Sequence, residues 1–491
     1  MGKIKKIFSK INGLYLTLIL SALGAIFSFL VTFLLTHYLG DNEEIRASLY
    51  GKIQYYLGII TTLSIFLKFG FVSFIVKDTQ YSISGKQTFS RSFFLFDVLS
   101  ILIFPIFFVI SYFALNQLDK NSFLIIALFI ASFSFSLVSL ICASLLSKKH
   151  FKGAIFFESV LPKIVQLVVF AVLIVLKQSN FLTDYFVLIF LSTYAIIALP
   201  FLLMLVRKTS IKFSKTEIIS ICTFFLLALT GNFGNSLIKV FQGEFYISSD
   251  EAMQIKYDAI LGNLALALQI VSMGMIFVGA IANIAKPQFA IYSRDSNNDA
   301  LVKFFTKTIR LSGFIAIPFM IAFIMQPKNV MSFFGISSFP IFLVILSIYG
   351  LILALGGPCG TLLEMSGHEK IELLAGIANL VLFIALSFAL RNITIYALPI
   401  SLLFGTLLGK IINVISIKLI YKRNPIDKKT VLTLVIFTII CICVFRGLNR
   451  IENPYLWIIS NCIIGCALIV SGFMMSPYKD DKYFFFKKGL Q

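Results

Sequence analysis

Six basic residues lie inside stretches of this chain that are otherwise apolar enough to cross a bilayer: Lys52, Lys68, Lys163, Lys239, Arg310 and Lys410. A cation near the centre of such a helix is disfavoured by about 2.5–3.5 kcal/mol on insertion scales, so it needs water, protein or an anionic ligand around it. Lys163 carries the clearest signal, because it stands about ten residues, roughly 15 Å, from either end of its run and is too deep for easy snorkelling. Ser159 and Gln166 share its helical face, and Pro162 interrupts the hydrogen-bond ladder beside it. Glu158 leaves open a structural Lys-to-Glu pair instead. Lys68 continues a polar stripe of Gln54, Thr61 and Ser64, with snorkelling to the nearer end as the alternative. Lys239 follows the polar stretch Thr230–Ser236 and shares a face with Asn232, Asn235, Ser236 and Gln242; Gly231 and Gly234 predict a bend or an unwound turn there. Arg310 lies with Thr306 and Gly313 ahead of Pro318, and Lys410 with Thr406 and Asn413. Set along a wet face, these groups would bind an anion; nothing in the pattern suggests a nucleophile or a general base.

The elements that must hold these residues are membrane spans. Hydrophobic residues make up 59% of the 491, above the 45–50% typical of soluble domains. Apolar runs predict about fourteen helices, near 12–38, 49–76, 92–115, 122–147, 155–176, 181–206, 216–241, 256–283, 303–326, 329–355, 371–390, 393–417, 429–447 and 454–475. The net charge of +20 would suggest nucleic acid in a soluble chain, but here its placement matters more. Of the 42 basic residues, 28 fall in one alternate set of loops and eight in the other, which sets both termini in the cytosol and excludes a nucleic-acid partner. The seven cysteines and three histidines form no four-ligand set, so no metal, catalytic residue or cofactor is expected. The acidic turn after the first span recurs after the seventh, a sign of duplication that places the joint at the basic linker 207–215. An aromatic and basic tail, Tyr483 to Lys488, suits an interfacial anchor.

Several short segments together resemble the oligosaccharidyl-lipid flippases of the multidrug/oligosaccharidyl-lipid/polysaccharide exporter superfamily, the O-antigen and capsule repeat-unit translocases of bacteria. They are the basic arm before a Gly-containing first span, Tyr50-Gly51 opening the second, and Phe69-Gly70-Phe71 with Lys77-Asp78 closing it. Gly367-His368-Glu369-Lys370-Ile371-Glu372-Leu373 leading into Asn379-Leu380, then Ile395-Tyr396-Ala397 and Gly405, extend the likeness. The seventh span lacks the acidic-plus-arginine pair of some relatives.

The resemblance implies an all-α polytopic protein with an N-terminal six-helix bundle (1–207), a C-terminal six-helix bundle (208–424) around a central cleft, and two additional helices with a cytosolic tail (425–491). It further implies a flippase, not an enzyme, in the bacterial inner membrane. That flippase would move polyprenyl-pyrophosphate-linked oligosaccharide, as in O-antigen lipopolysaccharide biosynthesis, from the cytosolic to the outer leaflet, driven by Na+, H+ or the substrate gradient. Membrane lipids, a polysaccharide polymerase and chain-length machinery would be its partners. Lys163, Lys68, Lys239, Arg310 and Lys410 are then the cationic lining, and Thr61, Ser64, Gln166, Asn232 and Asn235 the polar lining. A small-molecule or peptidoglycan-precursor exporter of the same superfamily is the alternative; a membrane polymerase or glycosyltransferase would need carboxylates on a large outer loop, which the chain lacks.

Overall fold

The computed structural model describes residues 13–39, 42–75, 85–115, 118, 121–147, 150–175, 186–205, 214–248, 250–448 and 453–478. The N-terminal basic arm, most of the 207–215 linker and the tail Tyr483 to Lys488 lie outside them. Among the described residues there is no strand. The helices are α1 (Gly13–Tyr38), α2 (Glu43–Lys68), α3 (Gly85–Ala114), α4 (Ser122–Ser147), α5 (Phe151–Ile155), α6 (Leu161–Val175), α7 (Phe186–Leu205) and α8 (Lys215–Phe245). They continue as α9 (Glu251–Arg294), α10 (Asn298–Met325), α11 (Pro327–Phe333), α12 (Ile341–Gly356), α13 (Cys359–Met365), α14 (Glu369–Leu390), α15 (Ala397–Tyr421), α16 (Lys428–Leu448) and α17 (Pro454–Met475).

Ten helices among the described residues are long and apolar enough to span a membrane, or eleven if the bent pair α12–α13 is one span. The expected second span, α2, is absent from that set although it runs 26 residues, and the apolar part of α8 enters as a shorter helix, Glu217–Thr230. Helix α2 carries the charges Glu43, Glu44, Arg46, Lys52 and Lys68.

Local chemistry explains the helix limits. Ser214 and Glu217 form a reciprocal capping box at the start of α8, and the Asn297 side chain accepts from Ala300 N at the start of α10. After Lys68 the chain turns through left-handed backbone at Phe69 (φ 41°) and Gly70 (φ 75°) and is helical again over 71–75. The expected run through residue 76 is therefore broken, and Lys68 occupies the last turn of α2 instead of a mid-helix position. Between α5 and α6, residues Phe156–Val160 form a π-helical turn in which Leu161 N–H donates to Phe156 O. Pro162 has no N–H to offer Glu158 O, and the widened turn is the local response. In α8 the helix continues unbroken through Gly231 and Gly234, so the expected unwound turn does not form.

The chain packs as two compact units, Leu23–Ala265, and Leu266–Gln491 with Met1–Ala22. The division falls inside α9, and α8 packs along α2 in the first unit. There α4 lies against α2, α3 and α7. The crossing of α2 with α9 needs glycine on both sides: a Cβ on Gly51 would sit 2.2 Å from Asp258 O, and one on Gly262 1.9 Å from Ala47 O. In the second unit α10 packs on α12, α16 and α17, while α15 packs on α14 and α12.

Candidate functional site

In the unit Leu23–Ala265, Lys163 stands midway along the helical stretch Phe151–Val175, one turn beyond the π turn. Its ammonium donates to Gln166 Oε1 at 3.1 Å, not to Glu158. Lys239, on α8, donates to Gln54 Oε1 of α2 at 2.7 Å. The two lysines are close enough for the charge of one to act on the other. Among the described residues neither has a carboxylate within ion-pair distance; each is held by a neutral amide. An amide oxygen solvates an ammonium but does not cancel its charge, so the pair repels itself and attracts an anion.

The surrounding groups add hydrogen-bonding capacity. Gln166 is 3% exposed and Gln54 4% exposed, so both amides are fixed inside the unit. Gln242, one turn after Lys239, is 1% exposed and has neither its Oε1 nor its Nε2 hydrogen-bonded. A buried amide with both ends unused is costly unless a ligand or water completes it. Tyr55 O–H donates to Glu244, closing the same α2–α8 contact beyond the lysine.

The other expected lining residues make the following contacts. The Thr61 hydroxyl bonds back to Leu57 O and Gly58 O at 2.8 and 3.1 Å, and Ser64 donates to Thr61 O at 2.7 Å. Both hydroxyls donate within their own helix, and the Ser64 carbonyl also accepts from Ser136 Oγ of α4 at 3.4 Å. Lys68 has its ammonium 4.4 Å from the Phe135 ring centroid and feels the charge of Glu158. The side chains of Asn232 and Asn235 lie outside the described residues.

Arg310 and Lys410 belong to the other unit, and both are structurally engaged. Arg310 is 5% exposed; its Nη1 donates to Thr430 Oγ1 at 3.3 Å and its guanidinium lies 3.9 Å from the Tyr478 ring centroid. Tyr478 O–H donates to Asp427, and Thr306 Oγ1 donates to Pro425 O at 2.8 Å. Arg310 thereby ties α10 to the loop before α16 and to the segment after α17. Burial works against the Asp427 charge, yet the hydrogen bonds from Thr430 and Tyr478 and the positive Arg310 together hold that carboxyl below the usual carboxylate range. Lys410, near the middle of α15, donates to Gly357 O at 2.9 Å and reaches Cys359 Sγ at 3.5 Å. Here α12 and α13 meet at a 41° bend, and the ammonium takes a carbonyl that the broken helix leaves free. No group of three or more metal-ligating side chains occurs among the described residues.

Helices enough for many crossings and charged groups buried within them define a multi-pass helical membrane protein with the fold of the MOP superfamily transporters. The chain is similar to the lipid II flippase MurJ in an inward closed conformation, at a TM-score of 0.65 and 14% identity over 93% of this chain and 98% of that one. It is also similar to a MOP superfamily transporter from Pyrococcus furiosus whose binding pocket has reversed polarity (TM-score 0.60, 15% identity, 83% and 95% covered). A multidrug resistance MATE family transporter in an outward-facing conformation aligns with a TM-score of 0.59 and 14% identity over 83% and 95%. No protein-family model and no curated sequence matches, so the likeness is one of fold.

Proposed function

We propose that this chain is a flippase that takes a polyprenyl-pyrophosphate-linked oligosaccharide from the cytosolic leaflet and releases it in the outer leaflet of the bacterial inner membrane. The observation that carries this reading is the pair Lys163 and Lys239, two ammonium groups in apolar surroundings held by Gln166 and Gln54 and by no described carboxylate. A pyrophosphate or an acidic glycan loses its hydration on entering a membrane, and paired cations with an unfilled amide at Gln242 replace part of it. The prenyl tail can stay in lipid. An exporter of cationic drugs would instead want carboxylates at that position. The fold supports the same reading, since one neighbour is itself a lipid II flippase. Lys68 flanks the site, while Arg310 and Lys410 serve the structure of the other unit. Both termini are cytosolic on this reading, and a glycan polymerase with chain-length machinery would act on the product.

The test is reconstitution into proteoliposomes carrying a fluorescent polyprenyl-pyrophosphate oligosaccharide, with outer-leaflet exposure read by a membrane-impermeant lectin. Wild type should expose the glycan and Lys163→Ala should not, while inserting normally. Exposure by Lys163→Ala at the wild-type rate would overturn the assignment, as would failure of wild type to move the glycan while it exports small cations.

A further inference from the structure

The unit Leu266–Gln491 holds a carboxylate that no part of the anion site uses. Glu372 lies in the first turn of α14, and its Oε2 accepts from Asn413 Nδ2 of α15 at 2.6 Å. Its other oxygen faces Gly360 of α13 so closely that a Cβ there would stand 2.2 Å from Oε1. Lys410, one turn before Asn413, acts on the carboxylate as a positive charge, and Glu364 of α13 acts on it as a negative one. Cys359, also on α13, touches the Lys410 ammonium at 3.5 Å. Lys410 at the same time holds Gly357 O at the 41° bend of α12–α13. Asn413 is only 5% exposed, yet its Oδ1 has no hydrogen-bond partner.

We propose that Glu372, Asn413 and Lys410 form a proton-binding site at this break. The orphan amide oxygen supplies the geometry. As a carboxylate, Glu372 accepts the Asn413 N–H. On taking a proton from water it becomes an O–H donor, and the amide turns so that its unused Oδ1 accepts that hydrogen, leaving the amide N–H outward. Both protonation states therefore have a partner on one side chain. Protonation also removes the negative charge that faces Lys410, which leaves Gly357 O as its principal partner and changes the electrostatics at the bend. A metal cation would also suit a carboxylate and an amide oxygen, but the Lys410 ammonium already supplies one positive charge to this pocket.

The site rests on the transporter reading only for its consequence, coupling to a proton gradient, so its test omits substrate. Purified protein in nanodiscs is titrated from mildly alkaline to mildly acidic pH while the protonated-carboxyl infrared stretch is followed, with and without sodium. Wild type should gain a band that Glu372→Gln loses. Asn413→Leu should keep the band but move it to the frequency of a carboxyl without an acceptor, which protects the test if Glu372→Gln folds poorly. A band that persists unchanged in Glu372→Gln, or one that Asn413→Leu leaves at the wild-type frequency, would overturn the proposal. So would a thermal shift with sodium at alkaline pH that requires Glu372, because the site would then be a metal site. Loss of glycan flipping with this titration intact would leave the proton site standing.

Discussion

The two units place positive charge inside apolar helices in opposite ways. In Leu23–Ala265, Lys163 and Lys239 rest against glutamine amides and against each other's charge. In Leu266–Gln491, Arg310 is closed in by Thr430 and Tyr478 with Asp427 behind them, and Lys410 caps a broken helix beside Glu372. All four stand within helices; what differs is whether the charge is cancelled. A cancelled cation holds a fold together, whereas an uncancelled one strains it and is retained only if something else uses it.

The sharpest way to break that contrast is substitution at Lys163. Lys163→Met should weaken binding of an anionic lipid-linked glycan by about 10- to 150-fold, the equivalent of one charge-assisted hydrogen bond of about 1.5–3 kcal/mol. The same change should raise thermal stability in detergent, since it removes one member of a repelling, poorly solvated pair. Reduced stability together with unaltered binding would place Lys163 in the structural class. Arg310→Met should do the reverse, lowering unfolding stability by about 2–4 kcal/mol with glycan affinity unchanged. A glycan-affinity loss there comparable to that of Lys163→Met would erase the distinction between the units.

Packing offers a control that touches neither charge set. Gly262→Ala, whose new Cβ would meet the Ala47 carbonyl at 1.9 Å, should destabilise by about 1–3 kcal/mol, read by thermal unfolding. Full stability of that variant would mean that α2 and α9 do not approach so closely. The smallest expected effect is in pH. Asp427 is held below the usual carboxylate range, so its contribution is present at neutral pH and fades as acid passes through the depressed value. Asp427→Asn should flatten the acid limb of a stability–pH curve, and an unchanged limb would remove Asp427 from the latch.

The positions of these charges within apolar runs are legible in the residues, but their partners are not. Lys163 is readable because an apolar run surrounds it symmetrically and Pro162 marks the irregular turn beside it. The Gln54 that receives Lys239 lies 185 residues away, and only tertiary packing joins them. Lys68 looked central because hydropathy carries on past it, yet Phe69-Gly70 is a helix stop whose left-handed backbone outweighs the apolar run. Gly231 and Gly234 do not unwind their helix, since flanking apolar residues sustain the helix that glycine alone weakens. The bend beside Lys410 had a signal in Gly356-Gly357-Pro358, a breaker inside an apolar stretch. The partners of Arg310 are not legible in the sequence, because the loop and the segment after α17 that engage it are far away along the chain.

Equilibrium binding of a polyprenyl-pyrophosphate-linked oligosaccharide to nanodisc-embedded protein, run as a double-mutant cycle over Lys163→Met and Lys239→Met, tests the anion site most directly. The account predicts that each substitution weakens binding and that the two losses are not additive, because both lysines act on one anion. Equal affinity in wild type, both single variants and the double variant would contradict it.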